Sequence, residues 1–121
     1  DMAGFRSCAA PFPEIAAGRE REESWNWRVV GEHPVTEGLS LSETYRHTYC
    51  DHILLAPGPL GTPVAVSESG EPLVVVGDVD QGHCLVTGLG LGIHCKGDAD
   101  GPPSPAERTL LLNALRWLWR D

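Results

Sequence analysis

The chain has 121 residues, 41% of them apolar and 21% charged, with nine Lys and Arg against seventeen Asp and Glu for a formal charge of -8. That length suits one domain with a core of its own and leaves little room for two. Its eight arginines and single lysine are scattered along the chain, so it lacks the clustered cations that nucleic acid or an anionic membrane surface requires, and no apolar run approaches the roughly 20 residues needed to span a bilayer.

Residues 1–28 begin with small and turn-forming residues, and PEIAAGREREES predicts a short helix with Pro11 and Pro13 at its start and Glu14 near its first turn. Proline is tolerated there because the first turn has no intrahelical bond to lose. WNWRVV follows as a short strand, with Trp25 and Trp27 on one face. HPVTEGLSLSETYRHTYCD, punctuated by Pro34 and Gly38, reads as loop and short extended pieces, and HILLAPG as an apolar strand closed by Pro57 and Gly58.

From Pro63 three β-branched runs, PVAVSES, EPLVVVGDV and HCLVTGLGLG, are separated by the short connections ESGEP and DVDQGH, which predicts an antiparallel meander over about 63–90. LVVV is continuously apolar, as expected of a strand covered on both faces. A closing helix over about 105–119 starts with Ser104 as N-cap, Pro105 at the first helical position and Glu107 completing a capping box. Leu111, Leu115 and Leu118 form one apolar stripe along it, and Leu110, Ala114 and Trp117 an adjacent one.

Two groups of residues carry candidate chemistry. His47, Cys50 and His52, then His83 and Cys84, then His94 and Cys95, gather four of the five histidines and three of the four cysteines into short clusters. These are the ligand types that zinc and other transition metals select, although the spacing fits no zinc finger or ribbon, and strand alternation sends His83 and Cys84 to opposite faces. Asp51 is placed to orient a histidine ligand. The bland alternative is buried cysteines acting as small hydrophobes, or bridged in pairs, with histidines at strand ends. In HPVTEGLSLSETYRH, the residues His33, Glu43, Tyr45 and His47 offer hydrogen bonds and a carboxylate–imidazole pair capable of acid–base work. The bland alternative there is a loop whose Pro and Gly fix its path. GLGLG lacks the spacing and the following helix of a phosphate loop, and Asp98 and Asp100 lack the further ligands of a calcium loop.

The order HPVTEGL, SETYRH, HILLAPG, PLVVVGDVDQGHCLVTGLGLG and LLLNALRWLW resembles the C-terminal half of the ThuA-like proteins. These are a bacterial-type branch of the class I glutamine-amidotransferase-like, flavodoxin-type superfamily, and the resemblance covers residues 30–119. It implies an α/β fold, read here as a single partial domain over 1–121 completed by a preceding half or by a partner chain or second copy. It also implies a role in carbohydrate metabolism, with a sugar-type polar ligand held by His33, Glu43, Tyr45 and His94 and acid–base work by Glu43 and His47. The turn DQGHC departs from the family's basic Gly-Lys-Gly-Arg turn. SCAAP resembles the nucleophile elbow of the DJ-1/PfpI branch of the superfamily, which makes Cys8 a further catalytic candidate, although DMAGFRS is a poor buried strand to precede it. A structural or assembly domain with a degenerate site, and a metal-dependent enzyme using the His/Cys clusters, are the competing functions. Cytoplasmic and exported locations are equally compatible with the sequence.

Overall fold

A computed structural model describes residues 15–92 and 102–119. In chain order these form β1 (Ala16–Glu23), β2 (Asn26–Val29), a 3-10 turn (Pro34–Thr36), β3 (Thr44–Arg46), β4 (Asp51–Pro57), β5 (Thr62–Ser67), β6 (Pro72–Val79), β7 (Gly82–Thr87) and α1 (Pro105–Trp119). Five strands make a sheet in the order β3-β2-β5-β6-β7, and β1 and β4 make a two-stranded ribbon. All pairings among the described strands are antiparallel. The protein is therefore a mostly antiparallel sheet with one C-terminal helix, and the meander predicted over about 63–90 is the β5-β6-β7 unit.

The helix expected in PEIAAGREREES is replaced, over its described part, by β1. Its residues favour helix locally, but β4 is apolar through Ile53, Leu54 and Leu55, all buried, and needs a partner strand. Pairing with β4 sets Glu22 opposite His52 and Glu23 opposite Asp51, with one irregularity between Gly18 and Glu20. Tertiary pairing outweighs propensities worth only tenths of a kcal/mol per residue. Just past β7, Gly88 bonds to both strand groups: its N–H donates to the Leu73 carbonyl of β6 at 2.7 Å, and its carbonyl accepts from the Ile53 N–H of β4 at 2.9 Å. This contact ties the ribbon to the sheet at backbone distance, and a Cβ on Gly88 would overlap the Ile53 carbonyl oxygen.

LVVV is covered on both faces, as its sequence implies. Leu73, Val74 and Val76 join the larger core cluster with Trp27, Leu110 and Trp117, whereas Val75 joins a smaller one with Ile15, Ile53 and Leu55. All four side chains are almost completely buried, each contributing about 1.5–3 kcal/mol of apolar transfer. The capping box on α1 is formed: Glu107 N–H donates to Ser104 Oγ at 3.4 Å, and Ser104 N–H to Glu107 Oε1 at 3.2 Å. Of the two stripes on α1, Leu110, Ala114 and Trp117 face the core, while Leu115 and Leu118 are exposed.

Candidate functional site

Residues 31–34 and 36–42 line an open groove of about 730 Å³. Its wall is a largely exposed loop held by bonds from within and from α1. The His33 N–H donates to Thr36 Oγ1 at 3.1 Å and Val35 N–H donates to His33 Nδ1 at 3.1 Å, closing a reciprocal cap on the 3-10 turn. Thr36 Oγ1 in turn donates to the Gly31 carbonyl at 2.8 Å. From the helix side, the buried Asn113 donates through Nδ2 to the Val35 and Glu37 carbonyls at 3.1 and 2.8 Å. Gly38, at φ 84, supplies the left-handed turn that follows, a conformation glycine adopts without Cβ strain. Ser40 N–H then donates to Tyr45 Oη at 2.7 Å. The loop's path is thus fixed before any ligand arrives.

The groove is of mixed character, with Pro34, Leu39 and Leu41 beside its polar side chains. Glu32 and Glu37 are its charged lining residues, joined by Ser40 and Ser42, whose hydroxyls lie 2.8 Å apart. Because His33 Nδ1 accepts a backbone N–H, the neutral ring carries its proton on Nε2 and keeps that donor. Burial holds His33 below the ordinary imidazole value, with His83 acting in the same direction and Asp78 against it. His33 is therefore a neutral donor at physiological pH.

Of His33, Glu43, Tyr45 and His47 only His33 lines the groove, and no hydrogen bond or ring contact joins any two of the four. Tyr45 packs its ring 5.2 Å from that of Trp27 and spends its hydroxyl on Ser40. Glu43 is exposed and has no side-chain partner among the described residues. His33 instead meets Trp117 edge-on at 4.7 Å, and His83 stacks on the same indole at 4.2 Å with its Nδ1 2.7 Å from Asp78 Oδ1.

His47 lies in a buried chain of a different kind. Its Nε2 is 3.1 Å from His52 Nδ1, and His52 Nε2 is 2.8 Å from Glu22 Oε1. Ser69 Oγ donates to the other Glu22 oxygen at 3.2 Å. Glu22 accepts from His52 Nε2–H, and two arrangements then complete the chain: a neutral His52 whose Nδ1 accepts from His47 Nε2–H, or a charged His52 whose Nδ1–H donates to His47 Nε2. His47 Nδ1 is buried without a hydrogen-bond partner, and the Ser24 carbonyl can accept from it only when that nitrogen carries a proton. Burial, followed by the charge on His52, pushes His47 down to about 4, against smaller opposing effects of Ser24 and Asp51.

The same geometry revises the metal reading. Among the described residues no group of three or more His, Cys, Asp or Glu is arranged to hold a metal ion. The facing nitrogens of His47 and His52 are spent on each other. Cys50 is disulfide-bonded, so its sulfur is not a thiolate ligand. His83 and Cys84 do point to opposite faces, the ring onto Trp117 and the thiol against the smaller core cluster. Cys84 is free, and burial raises its thiol pKa. Asp51, expected to orient a histidine, instead takes Arg21 Nη1 at 2.8 Å. Cys8, His94 and Cys95 lie outside the described residues, so the elbow reading of SCAAP and the ligand role of His94 have no geometry here.

Sequence reasoning missed Glu22, Ser69 and Asn113. The first two reach their partners only through the β1–β4 pairing and the β5–β6 turn, and neither leaves a local signature. Asn113 had one available signal, a polar residue inside an otherwise apolar helical run. The chain matches no protein-family model, no curated protein and no solved structure.

Proposed function

We propose that the protein is a ThuA-like domain of the amidotransferase-like, flavodoxin-type group and that its groove holds a neutral, sugar-type polar ligand. The observation that carries this reading is the pre-braced loop of residues 31–42, which keeps its path through backbone, Thr36, Tyr45 and Asn113 bonds while leaving carboxylates, hydroxyls and one imidazole donor on an open cleft. A polyhydroxylated ligand suits that mixture, because each hydroxyl both donates and accepts. A pre-formed wall also lowers the ordering cost of binding. Glu32 and Glu37 disfavour phosphorylated or acidic sugars.

Calorimetry against neutral, amino and phosphorylated sugars tests the proposal. Saturable binding of an uncharged sugar in preference to amino and phosphorylated ones, weakened about tenfold by Glu37→Gln, is the expected result, since a hydrogen bond to a charged group contributes about 1.5–3 kcal/mol. A second reading, an assembly domain, draws on the exposed Leu115, Leu118 and Trp119 of α1; absence of heat from every sugar, together with self-association in sedimentation, would favour it over the groove.

A further inference from the structure

We propose that the outer edge of β7 is a homodimer interface, on which a second copy of this chain adds its own β7, antiparallel, about a twofold axis through Leu85. β7 ends the five-stranded sheet, and its ladder with β6 runs without a shift from Val79↔Gly82 to Val74↔Thr87. In an antiparallel ladder, residues that exchange both hydrogen bonds alternate with residues that exchange none. The two-residue connection closes on the Val79–Gly82 pair, and past the other end Gly88 N–H donates to the Leu73 carbonyl. Both observations make Gly82, Cys84, Val86 and Gly88 the positions bonded to β6, so His83, Leu85 and Thr87 turn their N–H and C=O groups outward. Among the described residues no backbone partner meets those groups.

This edge lacks the features that keep strands apart. Natural edges are blunted by shortness, by proline or charge, or by a bulge. β3 has only three residues, and β1 is charged along most of its length. β7 has six, GHCLVT, with no proline, bulge, carboxylate, lysine or arginine, and its residues from His83 to Thr87 are only half-buried. The outward groups also dictate the register, and the register selects a second copy as the occupant. Outward positions must meet outward positions, and an axis at Leu85 gives the longest such overlap. Leu85 then bonds the partner's Leu85, and His83 bonds the partner's Thr87. Between these bonded pairs Cys84 lies beside the partner's Val86. Leu85 packs on the larger core cluster, and Cys84 and Val86 pack on the smaller one. A twofold axis normal to the sheet preserves its faces, so both apolar layers continue into the second copy and no carboxylate or basic side chain of β7 meets a like charge. A short strand is less than a permanent dimer buries, so the association is reversible and concentration-dependent.

Sedimentation of the protein from micromolar to near-millimolar concentration tests the interface, whatever the groove holds. Wild type shows a monomer–dimer equilibrium, and Thr87→Pro, which removes an outward N–H that β6 does not use, weakens it at least about tenfold. Cross-linking reads the register. Non-bonded antiparallel pairs bring Cα atoms to about 4.5 Å, within the span of a disulfide, so Val86→Cys treated with oxidised glutathione forms a covalent dimer through the partner's Cys84. Wild type, whose Cys84 faces a valine, stays non-covalent. A monomer at every concentration overturns the proposal, as does a dimer that Thr87→Pro leaves intact or that Leu118→Glu dissolves, which would assign association to α1. Covalent dimers of wild type through Cys84 are equally fatal, because they place the axis elsewhere. Should Thr87→Pro fail to fold, cross-linking of Val86→Cys against wild type decides alone.

Discussion

His47 and His52 lie side by side in the interior with ring nitrogens bonded to each other, whereas His33 and His83 flank Trp117 nearer the surface and use their nitrogens on the Val35 backbone and on Asp78. Both pairs come from the same histidine-rich chain, yet their surroundings set different tasks. In the first pair the two rings and Glu22 form one bonded chain, so one substitution propagates along it. In the second, each ring has a separate partner and the indole between them provides packing alone. A buried polar chain is costly to interrupt, and a set of independent contacts is cheap.

The largest effect that would separate the regions is His52→Ala. It leaves His47 Nε2 unpartnered inside the protein and removes a fully buried ring, and the expected loss is about 3 kcal/mol of unfolding free energy in urea. A loss below about 1 kcal/mol would mean that water already reaches the pair and that the contrast with the Trp117 region is one of degree. Smaller is the effect of His33→Ala, which deletes the cap on the 3-10 turn and its edge contact with Trp117. About 1 kcal/mol is expected, together with faster exchange of the Val35 amide; unaltered Val35 exchange would show that the Thr36, Tyr45 and Asn113 bonds hold the loop without the imidazole. Smallest is Asp78→Asn, where the carboxylate is 75% exposed. A change within about 0.5 kcal/mol is expected, and a loss several times larger in thermal or urea unfolding would mean that His83 and Trp117 depend on this carboxylate as His52 depends on Glu22.

What could be read from the sequence follows the range of each interaction. Ser104 and Glu107 are three residues apart, and their cap was legible because both partners lie in one helical turn. The β5-β6-β7 meander was legible because its connections are short and its apolar runs continuous. β1 was not, since AAGREREE carries helical propensity and its reason for being extended, the β4 partner with Ile53 and Leu55, lies far along the chain. On α1 two leucine stripes of similar apolarity competed, and the loop carbonyls that Asn113 meets decide which faces inward. For the site, HPVTEGLSLS was recognisable as the segment that lines the groove. His47 was expected there on proximity in sequence, but the turn after β3 carries it inward to β4.

The bonds that involve Glu22 occupy one side chain of a strand whose neighbours are nearly all charged: Arg19, Glu20, Arg21 and Glu23. Among the described residues β1 pairs only with β4, which leaves its outer edge as a row of backbone donors and acceptors of the kind that recruits a further strand. An incoming copy of the same strand would have to seat its alternating charges beside these and strip water from both sets. The polarity that disguises β1 as a helix in the sequence thereby also weighs against fibre-like stacking along this edge.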